Sequence, residues 1–165
     1  MRSNAFGVAL VLFVPIVASA YVRTPITIGR QVFDGTCLYW DSRTIPWRPA
    51  RMPDGRTPSE ALLWAMRDSF REWEAESCSD LAFEERALGA RDVGFSPKGS
   101  NENVVVFHDV ACNDIPWSDP CHEEFSCDCW NFSREMIAVT TTTFIQCTGE
   151  IVDADIELNG AHYAF

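Results

Sequence analysis

From Val152 to Asn159 apolar and polar residues alternate without a slip, the pattern of a strand with one buried face. Val152, Ala154, Ile156 and Leu158 share one face, while Asp153, Asp155 and Glu157 share the other. The run before it, "MIAVTTTTF" (136–144), is β-branched and turns polar halfway, as an exposed edge strand does. The short connector "IQCTGE" between the two predicts a hairpin. "NVVVFHDV" (103–110) is apolar on both faces and predicts a central strand covered on both sides. "DLAFEER" (80–86) alternates again. Within "CLYWDSRTIPWRP", Pro46 and Pro49 each lack a ladder donor, which predicts an edge position for that strand. Residues 21–36 read as an irregular lead-in.

One helix pattern stands out. Leu62, Leu63, Met66, Phe70 and Trp73 form an apolar stripe, with Arg67, Asp68, Arg71, Glu72 and Glu74 mostly away from it. Thr57 and Glu60 match a capping box, with Pro58 at the first helical position. These signals predict a helix from 58 to about 76, its aromatics serving as packing residues. The fold class they imply is α+β: a twisted mixed sheet of four to five strands on one long amphipathic helix, with a disulfide-rich loop.

"MRSNAFGVALVLFVPIVASA" changes what counts as the folded chain. An early Arg2, an apolar run and Ala18-Ser19-Ala20 form a secretory signal peptide pattern over residues 1–20, leaving 21–165 as one domain. The predicted location is extracellular or periplasmic. The 165-residue chain carries a formal charge of −11, and loss of Arg2 makes it more acidic. That charge repels nucleic acid and anionic lipid, so neither a nucleic acid nor, once the leader is cut, a membrane is an expected partner.

All seven cysteines (37, 78, 112, 121, 127, 129 and 147) follow the leader, where an oxidising compartment makes them disulfide candidates. Four lie in the long loop 111–135, which predicts local staples there. Cys37 with Cys78 is the preferred long bridge, and Cys147 is the candidate odd cysteine. Cys121, His122, Cys127 and Cys129 could be read as a metal cluster, but Cys127-x-Cys129 lacks zinc-knuckle spacing, so disulfides are expected. His122–Glu123 starts like H-E-x-x-H, yet Ser126 stands where the second histidine belongs. His108 and Asp109 point to opposite faces of a strand, which makes His108 a structural, hydrogen-bonded histidine rather than half of a dyad. Asp153, Asp155 and Glu157 are too far apart along the strand for all three to hold one ion, although two could join loop oxygens around calcium. The plainer reading is a solvated face. "NFS" (131–133) matches a glycosylation sequon.

The order of these elements resembles the N-terminal subdomain of a matrixin-like metalloprotease of the metzincin clan, in a bacterial secreted form. A strand, a helix ending in "FREWE", "LAFEE", the central "NVVVFHD", then "IAVTTTTF" and "TGEIVDADIELNG" carry the likeness over roughly residues 37–162. It implies a zinc-dependent metalloendopeptidase acting on protein or peptide substrates. It also implies that Val139, Thr140, Thr141 and Thr142 bind an extended substrate by β-augmentation. In that family the zinc ligands lie on a following H-E-x-x-H-x-x-G-x-x-H helix. No such motif occurs in this chain. The resemblance therefore implies an incomplete catalytic domain, with no catalytic residues and no zinc ligands, inactive by itself. Calcium near Asp153, Asp155 or Glu157 stays an expectation. The competing reading is a secreted, disulfide-stapled, non-catalytic binding module.

Overall fold

The computed structural model describes residues 25–28, 31–99, 101–124 and 127–165. The leader at 1–20 lies outside the described residues. The lead-in is not irregular where it is described: β1 (Pro25–Ile28) and β2 (Gln31–Cys37) pair antiparallel. Ile26, Thr27 and Ile28 supply the β-branched composition that favours this.

The main sheet has five strands: β3 (Thr44–Pro49), β4 (Ala82–Glu85), β5 (Asn103–His108), β6 (Ala138–Phe144) and β7 (Ile151–Asn159). Their spatial order is β4-β3-β5-β7-β6, parallel except for β6, which runs antiparallel to β7 at one edge. The fold is thus α+β with a mixed five-stranded sheet. The hairpin expected from "IQCTGE" forms, closed by the Ile145 amide donating to Glu150 at 2.8 Å.

β3 lies inside the sheet, against the expectation that its prolines confine it to an edge. Its two neighbours overlap it only in part. Thr44–Trp47 pair with β4 and Trp47–Pro49 with β5. The Trp47 carbonyl accepts from Arg86 on the β4 side, so by alternation Pro46 turns toward β5 before β5 begins to pair. Pro49 turns toward β4 after β4 has ended. Each missing N–H falls where the ladder has no acceptor, and the Asn103 side chain donates to the Pro46 carbonyl instead, at 2.8 Å.

The helix α1 spans Glu60–Glu74, 15 residues, shorter at both ends than the pattern suggests. Ser59, not Thr57, is the cap: its hydroxyl accepts from the Leu62 amide at 3.2 Å. Leu63 and Met66 are buried against Trp47, Val105 and Phe107, and Phe70 stacks between Trp47 and Phe83 at centroid distances of 4.2 and 4.9 Å. Trp73, predicted to pack, is 69% exposed. Ile156 and Leu158 border this core.

The opposite face of the sheet holds Val104 and Val106 with Ala50. No helix longer than four residues lies over it among the described residues. Segment 86–102 does so in part: Gly89 bridges to Ala50, and its amide donates to the Pro49 carbonyl at 3.0 Å. Asp128 and Trp130 from the loop after β5 pack beside His108, and Ala111 bridges Trp130.

Candidate functional site

The second face is held together by the carboxylates of β7. Asp155 is 1% exposed and accepts from the amides of Gly94 at 2.6 Å and Val104 at 3.0 Å. Gly94 sits at φ 93°, a conformation glycine adopts without strain, and this aims its amide inward. Burial pushes the Asp155 carboxyl above its ordinary pKa, and the two amide bonds offset part of that. Asp153, 2% exposed, is raised to about 6 by burial and by its neighbour Asp155. The expectation of a solvated carboxylate face is therefore overturned. Loop residue Gly94 and strand residue Val104 supply the donors to Asp155, while Asp153 lies buried beside it.

Glu157 takes part in a longer chain of charges. His108 bonds through Nε2 to Glu157 at 2.8 Å and through Nδ1 to Asp128 at 2.9 Å. Both ring nitrogens can donate only when the imidazole is protonated. Burial opposes that charge, but the two carboxylates prevail and raise the His108 pKa to about 9. Arg91 closes the chain, donating to Asp128 at 2.7 Å and to the Phe107 carbonyl at 2.6 Å. Burial opposes ionisation of Asp128, yet His108 and Arg91 hold its carboxyl far below the usual range. Two cations and two anions alternate, tying both covering segments to β5 and β7. His108 is hydrogen-bonded as expected, and Asp109 is exposed and outside the chain. Asp128 and Arg91 were not singled out from sequence, since neither stands in a motif.

These bonds bear on calcium. Asp155 spends both oxygens on backbone amides and Glu157 is committed to His108. The three β7 carboxylates fit loop anchoring better than a cation site. Zinc fares no better as a catalytic ion. His108 is held between carboxylates, His162 bonds the Asn159 side chain at 2.9 Å, and His122 lies in the loop, so the three do not converge.

The loop carries two staples, Cys112–Cys129 and Cys121–Cys127. Local pairing was expected. The Cys37–Cys78 bridge was also expected and does not form: both are free, as is Cys147. Cys37 ends β2, just before Tyr39 bonds to Gly149 and Ile151 beside the β6–β7 turn, whereas Cys78 is exposed after α1 near the opposite edge strand β4. The two disulfides indicate an oxidising environment. No described helix is long and apolar enough to cross a membrane.

The edge strand β6 is the remaining candidate. Val139 and Thr142 are half-buried, while Thr140 and Thr141 are exposed. The Ile137 carbonyl accepts from the Asn159 amide at 2.9 Å, so alternation turns residues 139, 141 and 143 toward β7. The amides and carbonyls of Ala138, Thr140 and Thr142 then face outward, with no neighbouring strand among the described residues. Beside them, between α1 and the β6–β7 hairpin, lies a cavity of about 340 Å³ lined by Ile45, Phe70, Trp73, Thr140, Ala154 and Ile156.

No family model matches the chain, and no curated protein or solved structure matches it.

Proposed function

We propose that this chain is the substrate-aligning part of a secreted, matrixin-like zinc metalloendopeptidase of the metzincin clan, and that it does not hydrolyse peptides by itself. The observation that carries the reading is the outer edge of β6, unpaired among the described residues, with the Thr140 and Thr142 backbone groups placed to add one more strand. The succession of elements supports it: strand, helix, strand, central strand, then an exposed antiparallel edge strand before the alternating β7. So does the uneven cover on the helix-bearing face. α1 packs over β3, β4 and β5, while Ile156 and Leu158 on β7 border that core and stay half-buried. The chain contains no H-E-x-x-H, so its own residues contribute substrate binding and orientation only.

The test is a proline at the outward position. Thr140→Pro removes one outward N–H and leaves the ladder to β7 intact, as proline on an edge strand is tolerated. Binding of fluorescent extended peptides should be lost while circular dichroism is unchanged, and bound peptide should slow hydrogen exchange at Ala138, Thr140 and Thr142. Binding that survives the substitution would sink the proposal. Chelator-sensitive cleavage by the purified chain given zinc would refute the claim of inactivity.

The alternative, a non-catalytic secreted binding module, draws support from the second face, which the chain closes with its own loops. Tight capture of one peptide sequence by the chain alone favours the module. Weak, sequence-tolerant protection of β6 favours the protease part.

A further inference from the structure

The stapled loop holds a cluster that neither the sheet nor the edge strand uses. Cys121, His122 and Cys127 bring two sulfurs and one ring nitrogen within 4.8 Å of one another. His122 Nε2 is buried and has no hydrogen-bond partner, a costly state for a polar atom in a folded protein. Trp117, itself largely exposed, stacks on the imidazole at a centroid distance of 4.9 Å and an interplanar angle of 26°. A cavity of about 460 Å³ opens next to them, lined among others by Asn113, Trp117, His122 and Asn131. The disulfide explains the proximity of the two sulfurs but not the orphaned nitrogen.

We propose that Cys121, His122 and Cys127 form a latent site for a soft cation of the Zn²⁺ or Cu⁺ class, opened by reduction of their disulfide. A dithiol reductant supplies two electrons and two protons and leaves as its own disulfide, turning Cys121–Cys127 into two thiols. The cation then displaces both thiol protons and accepts two thiolates and the imidazole nitrogen. Thiolate and imidazole together are the donor set such cations prefer. Three protein ligands leave one position of a tetrahedral ion open, and the cavity gives that position room. Tetrahedral bonding at about 2.3 Å per sulfur separates two thiolates by about 3.8 Å. Side-chain rotation from Cα atoms 4.7 Å apart reaches that separation. Acidic Asp119 and Glu123 nearby in sequence favour a cation over an anion. The site is independent of the edge strand, so loss of peptide binding leaves it untouched.

The experiment is an anaerobic Zn²⁺ titration of the full chain against a chromophoric chelator, before and after dithiol treatment, with Cys37, Cys78 and Cys147 replaced by serine. One Zn²⁺ per chain should bind after reduction and none before. Co²⁺ should report the same site through a thiolate charge-transfer band. His122→Ala should weaken Zn²⁺ binding at least tenfold, and Cys121→Ser with Cys127→Ser should abolish it. Cys112→Ser with Cys129→Ser should leave it in place. Equal binding by the oxidised chain, binding that follows Cys112 and Cys129, or full affinity in His122→Ala would each overturn the proposal. Circular dichroism is recorded throughout, and a reduced chain that unfolds before taking up metal overturns it as well.

Discussion

His108 gives the most quantitative handle on how the second face is held. Its imidazole, 7% exposed, bridges Asp128 and Glu157 as a cation. Raising its pKa from the ordinary 6.5 to about 9 corresponds to on the order of 3 kcal/mol, at about 1.36 kcal/mol for each tenfold change. The sign follows from proton counting. A pKa raised in the folded state means that the native chain holds the proton more tightly than the unfolded one. The stabilisation is fully present below about 6.5 and is lost as pH rises toward about 9, at a slope of at most about 1.4 kcal/mol per pH unit. Urea denaturation should follow this between pH 6 and 9.5 for the native chain and for His108→Gln. Glutamine keeps a neutral donor but carries no charge. The variant should be less stable by about 3 kcal/mol at pH 6, and the two curves should converge above pH 9. Taking the difference removes the other titrating groups, including Asp153, whose raised pKa acts at lower pH. Parallel curves across the range would refute the charged bridge and leave His108 as a neutral packing residue.

Asp155→Ala frees the Gly94 and Val104 amides and should lower stability by about 2–3 kcal/mol, with faster hydrogen exchange at Gly94 as the direct readout. Asn159 is fully buried, donates to the Met136 carbonyl at 2.8 Å and accepts from the His162 amide at 3.2 Å. Asn159→Ala should therefore cost about 2–3 kcal/mol in chemical denaturation, and an unchanged midpoint would contradict these bonds. Non-reducing digests should yield the Cys112–Cys129 and Cys121–Cys127 peptides, with Cys37, Cys78 and Cys147 alkylated without reductant. A Cys37–Cys78 peptide would contradict the observed pairing.

Much of the sheet was legible because its signals are local. The alternation from Val152, the two-sided apolar run at Val104–Phe107 and the short connector before Gly149 each name a strand or hairpin without reference to anything distant. What escaped depends on partners far along the chain. Pro46 and Pro49 signal an edge only if both neighbours run the full length of β3, and the staggered overlap of β4 and β5 is not written near them. Asp153 and Asp155 carry the polar half of an alternating strand, which ordinarily faces water. Asp155 is met there by the amide of Gly94, 61 residues away in sequence. The helix start moved for a smaller reason. Thr57 and Ser59 are both competent caps, and the hydroxyl with an amide three residues ahead in bonding geometry was Ser59.

The two faces of the sheet therefore answer to different requirements. On one side polar β7 residues could not be left dry and unpaired, since a buried carboxylate without donors costs several kcal/mol. Two backbone amides meet that demand at Asp155, and the Arg91–Asp128–His108–Glu157 chain meets it at Glu157 while holding the covering segments to this side. On the other side apolar Ile156 and Leu158 are only half covered, beside a cavity that runs from α1 to Thr140. An edge strand with free backbone groups borders that same side. If one surface of this chain meets an extended peptide, the physics points to the β6 edge and the open part of the helix-bearing face. Substitutions on the loop-covered face, such as His108→Gln, should then alter stability and its pH dependence without altering peptide affinity, whereas Thr140→Pro should do the reverse.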